Sequence, residues 1–179
     1  LGGNNAIIVD KDADLDDEVL GKDFYKLSAS ERAALGREPS IDKSIYAREN
    51  GWAAKALLDV YATTGKEQYL AAAKGALEWI VKHRSISDGG FKHGDKDKAG
   101  PYLDDSIAMA QAMLSYYMAT GDAAWLARSA KTMDFIAANF KHPEAGWISS
   151  VKPSAEAAAF SKPFVSIEQN IQLARLANL

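Results

Sequence analysis

The chain has 179 residues, of which 47% are hydrophobic and 25% charged, and its net charge is −3. This composition is typical of a folded globular domain and argues against a disordered chain. Because the sequence has no cysteine, a disulfide scaffold, a thiolate zinc site and a cysteine nucleophile are excluded within it. It has no basic stripe and no apolar run of about 18 residues, so we expect neither nucleic acid nor a membrane as a partner.

Both ends of the chain look cut. It begins with Leu1-Gly2-Gly3, without Met or the parts of a signal peptide, and it stops inside a helical pattern that starts at Ser166. We therefore expect a fragment of a longer chain. A cytoplasmic location is expected because no targeting segment is visible.

Residues 1–43 are predicted to form an irregular opening segment with one short helix. Its acidic stretch, Asp10 to Glu18, does not have the spacing of an EF-hand loop. Ser28 and Glu31 have the spacing of a capping box, and Gly36 is expected to stop the helix that they start. The scattered histidines do not have metal-ligand spacing, so we expect no metal and no other cofactor.

Amphipathic helices fill the rest of the chain and pair into hairpins. Hairpin 1 covers 44–84, with helices over about 43–64 and 66–83 that meet at Gly65. Hairpin 2 covers 103–140, with helices over about 103–120 and 122–140 that meet at Gly121. A fifth helix over 166–179 would begin hairpin 3.

The two hairpins repeat with a shift of 56 residues. Under this shift Leu58 matches Leu114, and the turn glycine and the following helix match in the same register. A repeat of paired helices must stack to bury its apolar faces, and this one is longer than tetratricopeptide or HEAT units. The sequence therefore predicts an all-α fold, a partial α/α toroid of repeated antiparallel helical hairpins, with residues 1–179 as one domain.

Three motifs, in order along the chain, resemble those of one known family. The first runs from Asp12-Ala13-Asp14 to Gly21-Lys22-Asp23-Phe24-Tyr25, and the second from Pro39-Ser40-Ile41-Asp42-Lys43 to Asn50-Gly51. The third joins Leu103-Asp104-Asp105 to Tyr117 and Ala119-Thr120-Gly121-Asp122. The set resembles the α/α-toroid portion of the YyaL-like, spermatogenesis-associated protein 20-like family of thioredoxin-domain-containing proteins. The resemblance implies a six-hairpin, glycosidase-like toroid linked to carbohydrate metabolism.

The chain departs from the family pattern in several places. Glu49 stands where the family has Trp, and Ser106 where it has Tyr. The connection between Gly36 and Pro39 is short, and the thioredoxin-like domain with its cysteine motif is absent from this sequence. No redox role is therefore carried over to this chain.

Carboxylates at helix starts are the first candidate site. Sugar chemistry needs one carboxyl group as general acid and another as base or nucleophile. Glu49 and Asp105 match under the repeat and are the predicted catalytic pair, and Glu168 falls at a comparable place in the third unit. The neighbouring Asn50 and Asp104 are predicted to bind substrate. The alternative is that these residues only cap helix ends and favour the helix dipole.

The Gly-rich loop after hairpin 1 is the second candidate site. Phe91 and His93 follow Gly89-Gly90, and Trp147 follows Gly146 at the matching place after hairpin 2. These three side chains could contact a sugar at the rim of a cavity. The alternative is a repeated structural turn in which Phe91 fills the core.

Two functions stay open at this point. The first is carbohydrate processing or binding, with a sugar as partner and with acid/base chemistry like that of a glycosidase or sugar epimerase if the chain is an enzyme. The second is a non-catalytic helical-repeat scaffold for protein–protein interaction. A third possibility is that this fragment has no independent function and that its open end, which would expose apolar helix faces, forms a homodimer.

Overall fold

The structure is a computed structural model of the chain, and it describes residues 26–36, 44–95, 100–144, 146–151 and 164–179. The acidic stretch Asp10 to Glu18, the first family motif up to Tyr25 and the start of the second motif lie outside the described residues. The chain divides into two compact units, Leu1–Ser44 and Ile45–Leu179.

The first unit contains helix α1, Ala29–Ala34, which confirms the short helix predicted near Ser28. The Ser28 hydroxyl accepts a hydrogen bond from the Glu31 backbone N–H, and the Glu31 carboxylate accepts one from the Ser28 N–H at 2.7 Å. This reciprocal capping box satisfies two N–H groups that a helix start otherwise leaves unpaired.

The second unit consists of five helices and one small hairpin within its described residues. The elements are α2 (Ala47–Thr64), α3 (Glu67–Arg84), α4 (Leu103–Thr120), α5 (Ala123–Asn139), β1 (Lys141–His142), β2 (Gly146–Trp147) and α6 (Ile167–Ala177). The predicted helices are confirmed, except that α2 begins at Ala47 and not near Lys43. Gly65 and Gly121 end α2 and α4 at φ 65° and 74°, a left-handed conformation that favours glycine.

Helix α4 is the centre of the packing, with α2, α5 and α6 against it. A helix covered on several sides must carry small or apolar residues, and ten residues of α4 are buried. The approach of α2 is close because Gly51 faces the backbone of Ala108, where an added Cβ would lie 2.8 Å from the carbonyl carbon. Among the helices that the structure describes, none is long and apolar enough to span a bilayer.

The 56-residue repeat extends beyond the helices into their connections. After α3 the chain folds back through a bridge between Ser85 and Phe91, and after α5 it does so through the hairpin of β1 and β2. The N–H of Ala47 then donates to the His93 carbonyl at 2.9 Å, and the N–H of Leu103 donates to the Ser149 carbonyl at 3.0 Å. Each connection therefore returns to the start of the first helix in its own hairpin.

Candidate functional site

The candidate site is a cleft at the N-terminal ends of the first helices of the hairpins. It has a volume of about 270 Å³. The residues that line it are Arg48, His93, Tyr102, Asp104, Asp105, Ser149 and Gln169. They come from five stretches of the chain. Repeated backbone hydrogen bonds join His93 to the start of α2 and Ser149 to the start of α4, and the Ser149 hydroxyl donates to Gln169.

Asp105 is the most buried ionisable group of the cleft, with an exposed fraction of 1%. Its Oδ1 accepts the backbone N–H of Arg48 at 3.0 Å and lies 2.9 Å from Nδ1 of His93. Its Oδ2 is buried and has no hydrogen-bond partner among the described residues. Burial raises the pKa of the Asp105 carboxyl, because the charged form loses its hydration.

His93 is held in one orientation by Asp105 and two aromatic rings. An ionised carboxylate only accepts hydrogen bonds, so with Asp105 ionised Oδ1 accepts from both the Arg48 N–H and Nδ1 of His93. Tyr46 stacks on the imidazole with ring centroids 4.3 Å apart, and Tyr102 meets it edge-on at 6.0 Å. The hydrogen bond to Asp105 raises the pKa of His93. In the neutral ring, Nε2 is then left as the proton acceptor.

A buried arginine fixes the segment that carries His93. Arg84 has an exposed fraction of 3%, and its Nε donates to the Ile45 carbonyl at 3.0 Å. Its Nη1 donates to the Asp95 carboxylate, and its own carbonyl accepts the Lys92 N–H at 2.8 Å. Residues on both sides of His93 are therefore tied to the end of α3.

Arg48 links the carboxylates of the cleft. Its guanidinium donates to Oε1 of Glu49 at 2.6 Å and lies 3.4 Å from Oδ2 of Asp104. Together with the hydrogen bond from its backbone to Asp105, this brings Glu49 and Asp105 to the same end of the helices, as the repeat predicts. The second oxygen of Glu49, Oε2, is buried without a hydrogen-bond partner in the described part of the chain.

Four residues predicted to bind substrate do not line the cleft. The Asn50 amide donates to the Tyr46 carbonyl at 2.8 Å, and Phe91 is buried in the core. Trp147 is half-buried against a second group of core residues, and Glu168 accepts a hydrogen bond from Gln172 on the exposed side of α6. Of the predicted set, the structure therefore gathers His93, Asp104 and Asp105 around the cleft, with Glu49 beside them.

The sequence reading missed Arg48, Tyr102, Ser149 and Gln169. The repeat could have found Ser149, because it matches His93 under the 56-residue shift. Glu49, Asp105 and Gln169 are each the third residue of their helix, so Gln169 and not Glu168 is the equivalent in the third unit. Ser149 donates to Oε1 of Gln169, so a neutral pair takes the place that His93 and Asp105 occupy one repeat earlier.

A second cleft of about 280 Å³ lies beside the turn after α3, and Phe91 contributes to its wall. Its polar side chains hold that turn in place: Lys131 donates to the Ser87 carbonyl at 3.1 Å and Thr132 to the Gly89 carbonyl at 2.8 Å. No group of three or more His, Asp or Glu side chains within the described ranges is arranged to hold a metal ion.

The comparison with known sequences gives no match. No protein-family model matches the chain. No curated protein matches it either.

Solved structures do match the chain, at low sequence identity. An α-mannanase of glycoside hydrolase family 76 from Bacteroides thetaiotaomicron is 18% identical with a TM-score of 0.57, over 79% of this chain and 41% of its own. A second family 76 hydrolase, from a bovine strain of that species, is 16% identical with a TM-score of 0.59, over 75% of this chain and 31% of its own. A cellobiose 2-epimerase from Bacillus thermoamylovorans is 13% identical with a TM-score of 0.56, over 79% of this chain and 42% of its own.

The likeness concerns the fold and covers part of each neighbour. The chain spans less than half the length of these three structures. All three are built on an α/α toroid, the fold class that the repeat predicts. This chain therefore has the fold of part of an α/α toroid of helical hairpins.

Proposed function

We propose that this chain is part of a carbohydrate-processing α/α toroid and that its cleft binds a sugar. The observation that carries the proposal is the pair of His93 and the buried Asp105 at the wall of the cleft. Titratable groups with shifted pKa values gather at functional sites, because a catalytic acid or base needs a pKa matched to its task and burial or a neighbouring charge supplies the shift. The structural neighbours, which include mannanases and an epimerase, support a sugar as the ligand.

His93 is the group that we assign to proton transfer. Its Nδ1 is held by Asp105, so Nε2 can take a proton from a sugar hydroxyl or return one to it. Asp105, buried at 1% exposure, acts through His93 as a positioning residue in this proposal. Asp104 and Arg48 line the cleft and supply an acceptor and donors for sugar hydroxyls. Glu49 then orients Arg48.

The test compares sugar binding and turnover by the chain and two variants. His93→Gln keeps a polar side chain without a titratable group, and Asp105→Asn keeps the shape without the charge. Each should lower turnover of mannose- or glucose-based oligosaccharides by about 100-fold or more, the usual contribution of a general acid or base. His83→Gln is the matched control, because His83 is exposed, contacts Trp79 at a tilt and does not line the cleft. Turnover unchanged in both site variants would contradict the proposal.

We also propose that the chain is related to the YyaL-like family and forms part of a six-hairpin toroid with a cytoplasmic location. The ordered sequence motifs support the relationship. The chain covers 31–45% of the solved structures that it matches, which supports a toroid with more hairpins than this sequence contains. The sequence beside this chain in the intact protein is the test. A thioredoxin-like domain in that adjacent sequence would support membership of the family, and adjacent sequence without such a domain would count against it.

Exposed apolar side chains on and before α6 favour a second candidate function, protein association. Phe164, Ile167 and Ile171 have exposed fractions of 74%, 78% and 48%. Ile167 and Ile171 are four residues apart, so they share one face of the helix. A homodimer through this face predicts a mass that rises with protein concentration in analytical ultracentrifugation. Ile171→Glu should abolish the rise, whereas Gln172→Glu on the same helix should not.

A further inference from the structure

Trp52 is a large aromatic side chain that lies outside the core of the second unit. Its exposed fraction is 44%. The buried side of α2 consists of Ala47, Gly51, Ala54 and Leu58. Trp52 is one residue, about 100° of rotation, away from Gly51, which faces α4. Its ring is therefore turned away from the most closely packed side of the helix.

Trp52 is connected to the cleft through Arg48. The guanidinium carbon of Arg48 lies 5.0 Å from the centre of the Trp52 ring, within the range of a cation–π contact. Arg48 itself lines the cleft and is held there by Glu49 and Asp104. The order in space is thus cleft, guanidinium and indole, with the indole one helical turn from the cleft wall.

We propose that Trp52 and Arg48 form a second sugar subsite, in which the indole stacks on the unit next to the one in the cleft. This inference rests on the proposed function of the cleft. The C–H groups on one face of a pyranose are attracted to the negative face of an aromatic ring. Trp52 follows Arg48 by four residues, so its backbone lies about one helical turn along α2 from the arginine that lines the cleft.

The chemistry of the pair fits a neutral oligosaccharide. The Arg48 guanidinium lies over one face of the indole, so the opposite face is the flat apolar surface left for a sugar. The N–H groups of Arg48 can donate to hydroxyl groups of a sugar in the cleft. The charge of Arg48 is balanced by Glu49 and Asp104, so the subsite does not select an anionic sugar. The ligand class is therefore an uncharged oligosaccharide of two or more units.

The experiment measures binding by isothermal titration calorimetry with probes of increasing length. The probes are mannose, mannobiose and mannotriose, and glucose, cellobiose and cellotriose. In the unmodified chain the second unit should strengthen binding by about three- to tenfold, the gain expected from one stacking contact. Trp52→Leu, which keeps apolar volume without a ring, should remove this gain and leave the monosaccharide affinity unchanged. Trp52→Phe should keep most of it.

Val60→Ala is the matched control, because Val60 is also a partly exposed apolar residue of α2, with an exposed fraction of 39%. It should leave every affinity unchanged. If Trp52→Leu binds the disaccharide as tightly as the unmodified chain, the subsite is refuted while the cleft proposal stands. If no probe binds the unmodified chain at any length, the function proposed for the cleft fails, and the subsite fails with it.

Discussion

The contact between α2 and α4 gives the sharpest test of this structure, because it depends on one missing methyl group. An added Cβ at Gly51 would lie 2.8 Å from the carbonyl carbon of Ala108 and 2.9 Å from its oxygen. Both atoms belong to the backbone, so no side chain can turn away to make room. Gly51→Ala should therefore push the two helices apart.

Two opposing effects set the size of the change in stability. Alanine favours a helix over glycine by about 1 kcal/mol, since it loses less backbone entropy. Insertion of a methyl group into a packed contact costs about 1–3 kcal/mol. Gly75→Ala separates the two, because Gly75 is within α3 and an added Cβ there meets nothing within 4 Å. We expect Gly75→Ala to stabilise by about 1 kcal/mol, and Gly51→Ala to be about 1–3 kcal/mol less stable than that control.

Urea unfolding followed by circular dichroism measures both variants. Because the N–H of Arg48 reaches Asp105 across the same contact, separation of the helices should also weaken the bond that orients His93. In the NMR spectrum, the pKa of His93 should then move toward the ordinary value of histidine. A gain in stability from Gly51→Ala equal to that from Gly75→Ala would show that the close approach of α2 and α4 is absent.

Three further predictions concern the cleft and the turns. The hydrogen bond with Asp105 raises the pKa of His93, so the stability that this bond contributes is full below about pH 6.5 and is lost as pH rises through the raised pKa. The melting temperature should therefore fall over that pH range in the unmodified chain. His93→Gln should remove the fall, and the same pH profile in both proteins would contradict the prediction. Asn170 bonds both backbone groups of Trp147, so Asn170→Ala should cost about 1–3 kcal/mol in urea unfolding, whereas Gln172→Ala should change stability by less than about 0.5 kcal/mol. Gly121→Ala should cost about 1 kcal/mol in the same assay, since alanine is strained at φ 74° even in open space; no loss would argue against the left-handed end of α4.

The helices and their hairpins could be read from the sequence because their signals are local. Gly65 and Gly121 stop helices by a conformation that other residues adopt poorly, and the apolar spacing on each side fixes which face is buried. The sequence reading placed the start of α2 near Lys43, four residues before Ala47. No side chain caps α2, so its first turn carries no local signal that marks the boundary.

The candidate site could be predicted only in part. The repeat correctly brought Glu49 and Asp105 to one end of the helices, because both are the third residue of a first helix. It could not show that the Asn50 amide turns back to the Tyr46 carbonyl, or that Arg48 bonds to two carboxylates. Such contacts depend on rotamers and on neighbours that are distant along the chain.

By itself, the sequence determined the all-helical class, the hairpins and their 56-residue repeat, because these follow from apolar periodicity and from glycines at the turns. The tertiary structure alone decided which polar side chains face the cleft. His93 meets Asp105, and Ser149 meets Gln169, only because each connection bonds back to the start of a first helix. Those bonds join residues tens of positions apart, which no local pattern specifies.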